Sequence, residues 1–225
     1  MLYVLASVAA AASPDLVGLW AVTMEVVTAA KVPVLGTTDV HTYQTMLADI
    51  VPEGAGLRVR HRTCTFRAES RPALATTRFP DAFIDAIPDR DYPVEWLPKA
   101  DGWAARMHVG VVTVGWDPGR GEFPERLDSP SVVDWDRDER PAATIQLQVP
   151  IFGTVDVYQA QVQDLWFDLS DVSNEEIVGT VRIEGMRSRT LGASNRLFVQ
   201  NPTVKQIPAR SPVRFVRAPA GAACP

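Results

Sequence analysis

Cysteine and histidine are scarce in this sequence, two and three residues among 225. Cys64 and Cys224 stand far apart, with no Cys-x-x-Cys pair. His41, His61 and His108 never fall at His-x-x-x-His or His-Glu-x-x-His spacing. The close pairs that zinc sites and dithiol redox centres use are therefore missing. Missing too are a Gly-x-Ser-x-Gly elbow, a Gly-rich phosphate loop and a dinucleotide fingerprint, which removes the common hydrolases and nucleotide enzymes. No stretch approaches the ~18 consecutive apolar residues of a membrane-crossing helix. Positive charge is in deficit: 22 Lys and Arg stand against 27 Asp and Glu, for a net charge of −5, and the basic residues are scattered. That balance offers nucleic acid no electrostatic footprint, so nucleic acid is not an expected partner.

What is present is an ordinary globular composition, 46% hydrophobic and 22% charged, in a length that suits one large all-β domain or two small ones. Met1 to Ala12 read MLYVLASVAAAA. A short apolar run ending in small residues suits a secretory signal cleaved after about Ala12, although no Lys or Arg precedes it. The mature domain would then be 13–225 and its place periplasmic or extracellular. In an oxidising compartment Cys64 and Cys224 read as one disulfide tying the C-terminal tail to a strand; in a reducing one they read as two buried thiols.

The chain repeats itself. Val32–Gln44 (VPVLGTTDVHTYQ) and Val149–Gln161 (VPIFGTVDVYQAQ) agree at Val32/Val149, Pro33/Pro150, Gly36/Gly153, Thr37/Thr154, Asp39/Asp156, Val40/Val157 and Gln44/Gln161. A second match follows in the same order, Ile87-Pro88-Asp89-Arg90 before Pro93-Val94 and Ile207-Pro208-Ala209-Arg210 before Pro212-Val213. Two collinear matches imply an internal duplication. Copy one covers about 20–99, a connector about 100–138, and copy two about 139–219. Each copy is rich in Val, Thr and Tyr between Gly- and Pro-containing turns, the pattern of hairpins. Asp81–Ile87, flanked by Pro80 and Pro88, predicts one short helix, and Tyr92–Leu97 with Trp103–Trp116 predicts a hairpin inside the connector. About ten strands in two pseudo-symmetric halves point to an all-β, antiparallel barrel or two-sheet sandwich, with closure removing free sheet edges.

At Gly18-Leu19-Trp20 the chain resembles the lipocalins and their calycin relatives, whose first strand carries Gly-x-Trp at the closed end of a barrel. The resemblance implies a ligand-binding calyx without catalysis, and a Cys64–Cys224 bond of the kind that ties the C-terminal segment to the barrel in that family.

Three features are candidate site residues. Gln44 and Gln161 hold matching places in the two copies; pointing into a shared interior they could hydrogen-bond a ligand, and on the outer face they would be a cross-strand pair. The apolar tips, with Leu35 and Phe152 just before the turn glycines, either pack inside the fold or form a contact patch for a membrane surface, a ligand's entrance or a partner. Asp134, Asp136 and Asp138 alternate in VDWDRDER, as in loops that chelate calcium. The turn Gly of such loops is replaced by Glu139, and the closing Glu by Ile145. Calcium is thus a candidate cofactor with little expected effect, beside a solvated acidic loop paired with Arg137 and Arg140. No catalytic residue or oligomeric state emerges. The sequence reads as an exported, non-catalytic carrier of an apolar or amphipathic small molecule, with a structural or adhesive cell-surface protein, calcium-dependent or not, as the alternative.

Overall fold

Period-two burial runs through the long strands. In β1 (Gly18–Val32) Trp20, Val22, Met24 and Val26 are buried while Ala21 and Thr23 are exposed, because successive side chains of a strand point to opposite faces. A computed structural model describes residues 13–32, 36–72, 76–99, 102–150 and 152–224. The proposed signal segment, residues 1–12, and Leu35 of the first tip lie outside the described residues. After β1 come β2 (Gly36–Glu53), β3 (Gly56–Arg71), β4 (Thr76–Arg78), α1 (Asp81–Asp85), β5 (Arg90–Lys99), β6 (Gly102–Val114), β7 (Ala143–Val149), β8 (Gly153–Val172), β9 (Glu176–Ala193), β10 (Thr203–Gln206) and β11 (Pro212–Arg217).

Antiparallel pairing runs β1–β2–β3–β5–β6–β8–β9–β11 and returns to β1, so the sheet closes into an uneven barrel rather than a sandwich. The duplication shows in the registers. Val32 pairs with Gly36 and Val149 with Gly153, so the matching positions of the two copies close their hairpins alike. Each hairpin then receives a short strand from the opposite copy: β10 lies on β1 with Thr203 against Lys31, and β4 lies on β7 with Thr76 against Gln148. The connector is itself part of the wall. Its β6 pairs with β5 and β8, and β7 continues along the same side of β8 once β6 ends. What separates β6 from β7 is the loop 115–142. Gly115 starts it with a φ of 73°, and a Cβ there would stand 2.0 Å from the Gln159 carbonyl oxygen, so only glycine lets the chain leave against β8.

One end of the barrel is solid. Trp20, Ile50, Val59, Met107, Phe167, Ile177, Val213 and Phe215 are fully buried there. The rings of Tyr92 and Phe215 meet Phe167 edge-on at 6.4 and 5.9 Å. The end is sealed around Gly18 and Trp20. Gly18 has a φ of 128°, and the Arg217 guanidinium lies 3.2 Å from where its Cβ would stand. That guanidinium stacks over the Trp20 ring at 4.6 Å and donates to the carbonyls of Val17 and Asp15. The Trp20 indole in turn donates to Leu16 at 2.8 Å. Gly-x-Trp is thus a place for an arginine to lie on an indole. Cys64, the unpaired residue of a bulge in β3, is bonded to Cys224 with their Cα atoms 5.2 Å apart, so the C-terminal tail is tied to the wall.

Candidate functional site

The other half of the barrel is hollow. Inward positions that hold Trp and Phe at the solid end hold Thr28, Ala30, Thr42, Thr63, Ala68 and Ser188 here, and small side chains cannot meet across the interior. A cavity of about 460 Å³ results. Its floor is Met24, Met46, Val109 and Leu165, the top of the packed core.

Polar groups enter this apolar space as a band on two facing walls. Gln44, 8% exposed, donates from Nε2 to Thr63 Oγ1 at 2.6 Å. Across the barrel Gln161 donates to Gln163 Oε1 at 2.9 Å and Gln159 to Ser188 Oγ at 2.5 Å. Among the described residues no protein donor reaches the side-chain oxygen of Gln44 or Gln161. The two duplicated glutamines therefore line one interior, each with its donor engaged and its acceptor free.

His61, Tyr92 and Arg90 form a second polar group near the floor. His61 Nδ1 lies 2.7 Å from the Tyr92 hydroxyl, and burial, aided by the Arg90 charge, holds the imidazole pKa down at about 4, so it is neutral. Burial of the hydroxyl pushes the Tyr92 pKa up. Arg90 lines the cavity, donates to the Val111 carbonyl at 3.2 Å and has no carboxylate within ion-pair distance among the described residues. Sequence reasoning missed this group, since His61 lies 31 residues before Tyr92 and meets the Arg90–Tyr92 segment only through the β3–β5 pairing.

Two walls differ in how they are closed. Beside β3, between β4 and β5, α1 brings Phe83 against Phe79 at 4.9 Å, and Phe79 meets Phe66 at 4.6 Å. Trp135, from the 115–142 loop, completes the cluster 5.2 Å from Phe83. All four rings line the cavity. Between β9 and β10 there is no backbone ladder among the described residues. Two side-chain amides stand in for it: Gln206 accepts from the Ile183 amide and donates to the Val181 carbonyl, both at 2.8 Å, and Asn201 accepts from the Thr190 amide at 2.7 Å. A shallower hollow of about 280 Å³ shares Met186, Ser188, Pro202 and Val204 with the main cavity at this seam.

Flanking Trp135, the carboxylates of Asp134, Asp136 and Asp138 each offer an oxygen within 4.8 Å of the others. Asp136 is 4% exposed, and burial is the main cause that raises its pKa from the ordinary aspartate value. The expected pairing with Arg137 and Arg140 is not found among the described residues: Arg140 pairs with Asp156 instead. Phe152, at the second tip, is half exposed and meets the ring of Phe198 edge-on at 5.5 Å, beside the exposed Leu197 and Val199. Among the described residues no helix is long and apolar enough to cross a membrane. Compared with known protein families, curated proteins and solved structures, the chain matches none.

Proposed function

We propose that this protein is an exported, non-catalytic binder that holds an apolar or amphipathic small molecule in the hollow half of its barrel. The observation that carries the reading is the 460 Å³ cavity, within the range of small-ligand sites, with an apolar wall and a few convergent polar groups. The disulfide supports placement in an oxidising compartment, as does the apolar segment Met1–Ala12. The free oxygens of Gln44 and Gln161 suit a ligand that donates a hydrogen bond. Arg90, a cation on an apolar wall with no carboxylate in ion-pair distance among the described residues, suits a ligand with an acidic head.

An amphipathic anionic fluorophore such as anilinonaphthalene sulfonate tests this. Titration should show one saturable site that a long-chain fatty acid displaces better than the alcohol of equal length. Thr42→Trp, which fills the cavity from an inward position of β2, should abolish the signal with the circular dichroism unchanged. Arg90→Met should remove the preference for the acid. Binding indifferent to Thr42→Trp would place the probe elsewhere and sink the reading.

A second reading rests on the exposed apolar side chains Phe152, Leu197 and Val199 at the rim. Burial of each in a membrane surface or partner would contribute roughly 1.5–3 kcal/mol. Phe152→Ser with Leu197→Ser should then abolish sedimentation with liposomes while leaving fluorophore binding intact; equal sedimentation of wild type and variant would exclude this use of the rim.

A further inference from the structure

We propose that the Asp134–Asp138 loop binds one hard divalent cation of calcium's size, and that the ion holds Trp135 in the aromatic wall of the cavity. The three carboxylates converge, each with an oxygen within 4.8 Å of the others, a span that two calcium–oxygen bonds of ~2.3–2.6 Å bridge end to end. Convergence alone is common on protein surfaces. The second observation is the state of Asp136. It is 4% exposed, its Oδ2 accepts from the Thr144 amide at 2.9 Å, and its Oδ1 is buried with no hydrogen-bond partner among the described residues. Beside it the Thr144 hydroxyl, on a residue 2% exposed, is likewise without a partner among the described residues.

An acceptor taken out of water and given no donor destabilises a fold, and a carboxylate oxygen does so more than a neutral one. Among the described residues no donor answers that oxygen: neither the Arg137 nor the Arg140 side chain pairs with these aspartates, Arg140 giving Asp138 only its backbone amide at 2.9 Å while its guanidinium is engaged by Asp156. A cation among the three oxygens would supply what the side chains do not.

The donors are all oxygens, which selects a hard ion over zinc or copper, and calcium over magnesium because calcium accepts irregular, partly hydrated shells. The sequence objection, a missing turn glycine, is met by Glu139, which takes a φ of 67°. The closing carboxylate is still absent, which places the site among weak ones suited to millimolar calcium. Trp135 stands between two of the ligands in sequence, and its ring lies 5.2 Å from Phe83 on the cavity side. Fixing the loop therefore fixes part of the cavity wall. This site stands whether or not the cavity holds a ligand.

Terbium, which takes calcium sites and is excited by a nearby indole, is the probe. The full-length protein excited at its tryptophans should give saturable terbium emission that calcium displaces. Trp135→Phe should lose most of that emission while calorimetry still detects terbium binding, which separates the donor from the site. Asp136→Asn should lose both; should that variant fail to fold, Asp138→Asn, altered at a half-buried ligand, serves in its place. Millimolar calcium should also raise the unfolding midpoint of the wild type by several degrees and leave the aspartate variant unmoved. Absence of calcium-displaceable terbium binding to the wild type, or binding unchanged in both aspartate variants, would overturn the site. Emission undiminished by Trp135→Phe would overturn the link to the cavity wall.

Discussion

His61 carries the sharpest residue-level consequence of the fold. Its imidazole is buried against Tyr92, with a pKa near 4 in the folded chain and near 6.5 when exposed. Between those values the unfolded chain binds a proton that the folded chain refuses. Stability from this group is therefore complete above pH about 6.5 and falls as the pH drops toward about 4, by on the order of 3 kcal/mol. Denaturant unfolding of wild type and His61→Gln across that window should show the shallower pH slope in the variant; parallel slopes would mean that His61 is not held neutral. Gly115 makes a second residue-level case. A methyl there meets the Gln159 carbonyl oxygen at 2.0 Å in a backbone region that disfavours side chains, so Gly115→Ala should lower the unfolding midpoint by several degrees. A neutral outcome would show that the loop can leave β8 by another path.

Single residues were legible in the sequence where one strand decides them. That Gln44 and Gln161 share a face was legible, because they hold matching places in the two copies; that this face is the interior was not, since repetition alone allows the outer face equally. Arg217 on Trp20, and Arg90 beside His61, were not legible, since each contact joins strands distant in the chain.

At the scale of elements the β9–β10 seam is the weak line of the barrel. Its counterpart, β3–β4, is laddered at Ala68–Thr77 and Glu69–Thr76, whereas among the described residues the side chains of Gln206 and of Asn201, just before β10, clasp this segment to β9. The two Gln206 bonds contribute roughly 1 kcal/mol each. Gln206→Ala should deprotect the Ile183 amide in hydrogen exchange while amides of β2 keep their protection, and it should speed fluorophore uptake through the seam. Unchanged exchange at Ile183 would show that the strands hold without the clasp. Strands and turns were readable from alternation and glycine, but the role of β6 was not. The loop 115–142 cuts one wall of copy two into β6 and β7, and along the chain that cut looks like a linker between copies. Pairing with β8, not sequence order, makes β6 part of the barrel.

For the whole molecule, closure came from the duplication and the need to hide edges, and both are visible in the sequence. The cavity was visible only in part. Alternation tells which side chains face inward but not whether they fill the space. The readable signal is a gradient of size along the inward positions, from Trp20 to Ala30 in β1 and from Ile50 to Thr42 in β2. The Cys64–Cys224 bond closes a loop over most of the chain, with a sequence separation of 160, and loop entropy predicts about 5 kcal/mol of stabilisation. Reduction should lower the unfolding midpoint markedly and free the tail to proteolysis after Arg217, with β-sheet circular dichroism retained below the transition; an unmoved midpoint would show the tie to be dispensable.

The central claim is that the hollow half of the barrel holds a small molecule, and native mass spectrometry of the protein purified from its own host tests it most directly. The account predicts a single small-molecule adduct that survives gentle ionisation, is lost on denaturation and is missing from Thr42→Trp. Bare protein alone, from host material never exposed to detergent or solvent, would contradict it.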